Sequence, residues 1–132
     1  MENLKIKLVV LWVFLAVSVS VGMVLMFMMP GVIEEIMAGE LEGMLISEGY
    51  LLVLALFWLI PFTMAFLSLT LKDSANRWAN IIVGIAWAGL GILACGRLLI
   101  QGQLTLALLE VSRTVVAALI VRYAWKWPKK EA

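Results

Sequence analysis

The sequence predicts an all-α fold, an antiparallel four-helix transmembrane bundle with both termini in the cytoplasm. The chain of 132 residues is 64% hydrophobic and 14% charged, whereas soluble domains average about 45–50% apolar and about 25% charged residues. The apolar residues form four long runs, and eight of the ten Lys and Arg residues lie near or beyond the ends of these runs on one predicted side. We therefore expect a single membrane domain over residues 1–132.

Four segments are long enough to cross a bilayer, namely residues 6–29, 51–71, 78–100 and 104–127. A helix needs about 20 apolar residues to cross roughly 30 Å of hydrocarbon. The first segment is too long for the apolar core of a cleaved signal, which has about 7–15 residues, so we interpret it as a retained span. Pro30 and Pro128 follow the first and fourth segments, where helices can end.

The distribution of basic residues predicts the orientation. The outer loop, residues 31–48, carries five Glu and no Lys or Arg, and the 101–103 link carries no charge, although Arg97 ends the span before it. Cytoplasmic segments carry an excess of Lys and Arg, so both termini should face the cytoplasm of a cell that we expect to be prokaryotic. Eight basic residues lie on the predicted cytoplasmic side: Lys5, Lys7, Lys72, Arg77, Arg122, Lys126, Lys129 and Lys130.

The outer loop leaves two alternatives open. Its apolar residues recur at roughly helical spacing between the glutamates, which favours an amphipathic helix lying on the membrane surface. Gly39 and Gly43 weaken a helix, however. The other alternative is a solvated acidic loop.

Glu110 and Arg113 are ionisable residues inside the fourth span, where a charge costs about 2.5–3.5 kcal/mol on insertion scales. Their spacing places both on one helix face. The short 101–103 link brings Arg97 to a similar depth, so the sequence predicts an intramembrane polar network of Arg97, Glu110 and Arg113. Two hypotheses compete. The network staples spans three and four together, or Glu110 is a substrate or proton site in a pocket lined by the mid-span Trp58 and Trp87.

Composition also bears on chemistry and partners. The chain has no His, and its one cysteine, Cys95, has no visible base partner, so we predict no enzymatic activity, no catalytic residue, no metal site and no cofactor. The net charge of +1 predicts no nucleic-acid partner. We expect the lipid bilayer as a partner. Small residues in span three (Gly84, Ala88, Gly91 and Cys95) predict close helix packing, either within the bundle or in a homodimer.

Four strings along the chain, LKIKLVVLW, PGVIEEIMAG, NRWANIIVGI and YAWKWP, resemble a family of small four-span prokaryotic membrane proteins that carries a domain-of-unknown-function label. The resemblance implies the fold, the location and a Glu in the fourth span, matched here by Glu110. It implies no activity, and the leading prediction is a multi-pass membrane protein of uncharacterised role. The chain is also similar to the small multidrug resistance family in its four spans and its glycine-rich third helix. The alternative is therefore a small transporter or accessory subunit that uses Glu110, although the first span lacks the acidic residue of that family.

Overall fold

The computed structural model describes residues 2–127, in which four long helices are joined by short links. Each long helix is long and apolar enough to cross a membrane, which confirms the predicted all-α four-helix bundle. The elements in chain order are α1 (Glu2–Phe27), α2 (Val32–Met37), β1 (Glu40–Leu41), β2 (Met44–Leu45), α3 (Glu48–Thr70), α4 (Asp73–Ile100) and α5 (Leu104–Trp125).

The first three long helices begin earlier than the apolar runs because polar residues continue them beyond the predicted hydrocarbon. The α3 helix begins at Glu48, where Ser47 Oγ accepts a hydrogen bond from the backbone N–H of Tyr50 at 3.2 Å. Such a side-chain cap satisfies a donor at the start of a helix. The α4 helix begins at Asp73, ahead of the predicted residue 78, and the acidic side chain in its first turn favours this start. Pro128, Lys129 and Lys130 lie outside the described residues.

The long helices are arranged in the spatial order α3, α1, α5, α4. The most extensive contacts join α4 to α5, α1 to α3 and α1 to α5, whereas α3 and α4 meet far less. We call the end of the bundle that holds the start of α1 and the Leu71–Lys72 link the terminal end. The opposite end, which holds α2, the β-hairpin and the 101–103 link, is the loop end.

The tightly packed core lies in the terminal half of the bundle. Leu8, Trp12 and Leu15 of α1 are fully buried, as are Ala117 and Ile120 of α5. By contrast, the outward faces of the helices carry large exposed apolar side chains, for example Leu93 of α4 at 73% exposed. The bundle thus has a small internal core and an apolar exterior.

The loop of residues 31–48 combines a short helix with a hairpin, so neither predicted alternative describes it fully. The α2 helix ends at Met37, and Gly39 follows with a φ of 85°. The strands pair Leu41 with Met44 around a turn formed by Glu42 and Gly43, whose φ angles are 53° and 78°. Positive φ at both central residues is the geometry of a tight hairpin turn that Gly tolerates best. The glycines therefore end the helix and allow the chain to fold back.

Candidate functional site

Glu110 and Arg113 form an ion pair on α5. Arg113 Nη1 donates a hydrogen bond to Glu110 Oε1 at 2.9 Å, and the two side chains are only 14% and 16% exposed. The pair forms locally because residues three apart lie on the same face of a helix. In low-dielectric surroundings an isolated charge is costly, so each partner reduces the cost of burying the other.

Arg113 also connects α5 to α1. Its Nε donates to Ser18 Oγ at 3.1 Å, and its Nη2 donates to the Ser18 carbonyl oxygen at 2.6 Å. One turn further along α1, Gly22 leaves room for the guanidinium, because a Cβ at that position would collide with Arg113 Nη2. The two small residues of α1, Ser18 and Gly22, therefore form the slot that receives Arg113.

Arg97 does not join this pair. Its guanidinium lies 3.6 Å from the carboxylate of Glu42, and its side chain is 57% exposed at the loop end. Glu42 lies in the turn of the loop hairpin, far from Arg97 in the chain, so spacing along a helix could not predict this partner. The predicted network of Arg97, Glu110 and Arg113 is thus divided into two ion pairs. The predicted staple between spans three and four is also corrected, because the described bonds of Arg113 join α5 to α1.

A cavity of about 320 Å³ lies between the four long helices in the loop half of the bundle. Both ion pairs line it, so Arg97, Glu110 and Arg113 border one space although they do not form one network. The cavity exists because α3 and α4 make few contacts with each other. Small side chains on α1 and α4, among them Gly22 and Gly91, widen it further.

Three aromatic side chains, Phe57, Trp58 and Trp87, form part of the apolar wall of the cavity, so both tryptophans singled out in the sequence line it. Trp58 is oriented by its indole N–H, which donates to Ser20 Oγ at 2.7 Å. Trp87 stands edge-on to Phe57, with ring centroids 5.6 Å apart. Trp87 also meets the buried Trp12 edge-on at 6.3 Å. The aromatic groups thus separate the cavity from the packed terminal half.

A second cavity of about 270 Å³ lies beside the first, under the β-hairpin. The two cavities share four lining residues, which are Met26, Glu42, Arg97 and Leu106. The Glu42–Arg97 ion pair therefore lies where the two spaces adjoin. An exposed ion pair is weak, so this boundary can rearrange at little cost.

A model of a family of unknown function, DUF6326, matches residues 1–132. The chain belongs to this family. The match confirms the predicted resemblance to an uncharacterised family. No curated protein and no solved structure matches the chain.

A polar cluster at the terminal end of this DUF6326 chain was not predicted from the sequence. Asn80 Oδ1 accepts a hydrogen bond from Trp12 Nε1 at 2.6 Å, and Asn80 Nδ2 donates to Asn76 Oδ1 at 2.8 Å. Ser68 Oγ lies within 3.3 Å of Asn80, and the Ser68 carbonyl accepts from Asn76 Nδ2 at 2.8 Å. The three polar residues and Trp12 are 0% exposed. The four-residue spacing of Asn76 and Asn80 in an apolar helix was the available signal.

The small-residue face of α4 in this DUF6326 chain is partly used inside the bundle. A Cβ on Gly84 would lie 2.8 Å from Val121 Cγ2 of α5, and a Cβ on Gly91 would collide with Thr114 Oγ1. Close helix packing therefore depends on these two glycines. Gly89 and Gly96 have nothing within 4 Å of an added Cβ. Within residues 2–127, no group of three or more His, Cys, Asp or Glu side chains is placed to hold a metal ion.

Proposed function

We propose that this chain is a non-enzymatic integral membrane protein that binds a small amphiphilic molecule in the 320 Å³ cavity. The observation that carries the proposal is a partly buried ion pair, Glu110 and Arg113, facing a space lined by aliphatic and aromatic side chains. Binding sites for small molecules are typically apolar concavities with a few convergent polar groups. A protein that needed only to pack its helices would gain stability by filling this space.

Membrane residence is supported by the apolar exterior and by the length of the four long helices. The basic residues of the terminal end support an orientation with that end in the cytoplasm. The cavity then lies in the outer half of what we propose to be a prokaryotic cell membrane. A C-terminal reporter that is active only outside the cytoplasm should give no signal, and a strong signal would contradict this orientation.

A matched pair of substitutions on α4 tests whether the cavity binds ligand. Ala94 lines the cavity, whereas its neighbour Leu93 is 73% exposed on the outer face. The protein in lipid nanodiscs should bind naphthalenemethanol saturably in equilibrium dialysis, beyond the uptake by empty nanodiscs. Ala94→Phe should abolish this binding because the phenyl ring fills the cavity, and Leu93→Phe should preserve it. Equal binding by both variants would contradict the proposal.

Transport by way of Glu110 is the second candidate function. The observation that favours it is the second cavity, which adjoins the first at the weak Glu42–Arg97 pair and offers a path toward the loop end. Proteoliposomes containing wild type or Glu110→Gln should be assayed for proton-coupled uptake of cationic dyes. Uptake that disappears in the variant supports transport, and saturable binding without uptake supports a binding role alone.

A homodimer remains a prediction for the lipid-facing side of α4. Since Gly84 and Gly91 pack against α5, a second copy would have to use Gly89 and Gly96, beside Cys95. We expect Gly96→Leu to convert a dimer to a monomer in detergent, measured by light scattering. A monomeric wild type would exclude this partner.

A further inference from the structure

We propose that the ligand of the cavity is an organic cation, namely an ammonium group attached to a compact apolar body. This inference rests on the proposed binding function and adds the chemical class of the ligand. The ammonium would donate to Glu110 Oε2, and the apolar body would lie against Trp58 and Trp87.

Glu110 has an unused acceptor beside the cavity. Its Oε1 accepts from Arg113, and its backbone carbonyl accepts from Thr114 Oγ1 at 2.9 Å. Within residues 2–127, Oε2 accepts no hydrogen bond from a side chain or the backbone. A charged carboxylate offers about four acceptor positions. Oε2 is therefore the atom at which a donor from a ligand completes the coordination of Glu110.

Gly91 keeps Oε2 accessible. A Cβ built on Gly91 would lie 3.4 Å from Oε2, and both residues line the cavity. An added methyl group would therefore occupy the approach to the free oxygen. The glycine that lets α4 pack close to α5 also leaves the carboxylate open to the cavity.

Both arginines that line the cavity already form ion pairs with carboxylates, which disfavours an anionic ligand. All three guanidinium nitrogens of Arg113 donate hydrogen bonds, one to Glu110 and two to Ser18. Arg97 is paired with Glu42 where the two cavities adjoin. An anion would share guanidinium groups that already bind Glu110, Ser18 or Glu42, whereas a cation meets an oxygen, Oε2, that accepts from no described residue.

The aromatic wall suits the apolar body of this ligand. Small-molecule sites are lined mainly by hydrophobic and aromatic side chains. The single N–H donor of Trp58 is used by Ser20, so this indole offers a ligand only its ring. The volume of about 320 Å³ lies at the small end of the range for ligand pockets. We therefore expect a ligand body of about two fused rings or less.

Two probes of the same shape test the charge preference. Naphthylmethylammonium and naphthalenemethanol differ in the charge of the donor group and share the apolar body. In wild-type nanodiscs, the ammonium should bind at least about tenfold more tightly, since a hydrogen bond to a charged group contributes more than a neutral one. Glu110→Gln should lose this preference and still bind the alcohol.

The outcomes separate this inference from the proposed function. If the alcohol and the ammonium bind wild type with equal affinity, the cation inference is overturned and the binding function stands. If neither probe binds wild type, both proposals fail. If Glu110→Gln still binds the ammonium more tightly than the alcohol, the preference comes from another group. That result would also overturn the inference.

A second variant keeps Glu110 intact in case Glu110→Gln fails to fold. Gly91→Ala places a methyl group beside Oε2, and Thr114→Ala removes the hydroxyl with which that methyl would collide. The double variant should lose the preference for the ammonium by about tenfold. Thr114→Ala alone should retain it, and an unchanged preference in the double variant would contradict access through Gly91.

Discussion

Two polar clusters, one at each end of the bundle, differ in charge and in how completely their groups are paired. At the terminal end, Ser68, Asn76 and Asn80 are fully buried and bond to one another and to Trp12. At the loop end, Glu110 and Arg113 are charged and border an open cavity. A closed network of neutral groups stabilises a fixed contact among α1, α3 and α4. A charged pair that retains a free acceptor beside a space has the form of a binding site.

Asn80→Leu should have the largest effect, because it breaks the closed network. The substitution leaves Trp12 Nε1 and Asn76 Oδ1 without partners in the core. We expect the free energy of unfolding to fall by about 3 kcal/mol, measured by dodecyl sulfate titration in mixed micelles. The control is Asn3→Leu at an exposed position, which should change little. Equal effects of the two substitutions would remove the distinction between the ends.

Arg113→Met tests the charged end. It removes the bonds to Ser18 and leaves the Glu110 carboxylate without its partner. We expect the free energy of unfolding to fall by about 2 kcal/mol in the same titration. The loss is smaller than for a fully enclosed ion pair because water can reach this pair through the cavity. Adding Glu110→Gln should recover part of this loss, since the unpaired charge disappears. A double variant less stable than Arg113→Met would contradict this explanation.

Substitutions of two alanines by Phe test how much space is available at each end of the bundle. Ala117 is 0% exposed in the terminal core, whereas Ala94 lines the cavity. Ala117→Phe should reduce the free energy of unfolding by about 1–2 kcal/mol through overpacking. Ala94→Phe should change it by less than about 0.5 kcal/mol, because the ring enters existing space. A large destabilisation by Ala94→Phe would indicate that the cavity is closed in solution.

The smallest effect on stability is expected for a substitution at the boundary of the two cavities. Glu42→Gln removes the charge that faces Arg97, whose side chain is 57% exposed. Exposed ion pairs contribute little to stability, so the free energy of unfolding measured by thermal denaturation should change by no more than about 0.5 kcal/mol. The dissociation rate of a bound naphthyl probe should increase. An unchanged rate would show that this pair does not restrict exit.

Local features of the chain were sufficient to predict most of the fold. Apolar length predicted four helices, and the observed starts differ where capping or acidic residues extend them, as at Ser47 and Asp73. The Glu110–Arg113 pair was predictable because residues three apart on a helix are neighbours on its surface. The burial of Asn76 and Asn80 was not predictable, since their partners Trp12 and Ser68 belong to other helices.

The sequence alone determined the four helices and the one ion pair within α5, because hydrophobic length and helical spacing act over a few turns. The tertiary structure decided which helix Arg113 contacts, which group Arg97 pairs with, and where a cavity remains. These outcomes depend on the spatial order α3, α1, α5, α4 and on the fold of the loop hairpin. Many helix orders satisfy the same apolar pattern, and only packing between distant segments selects one.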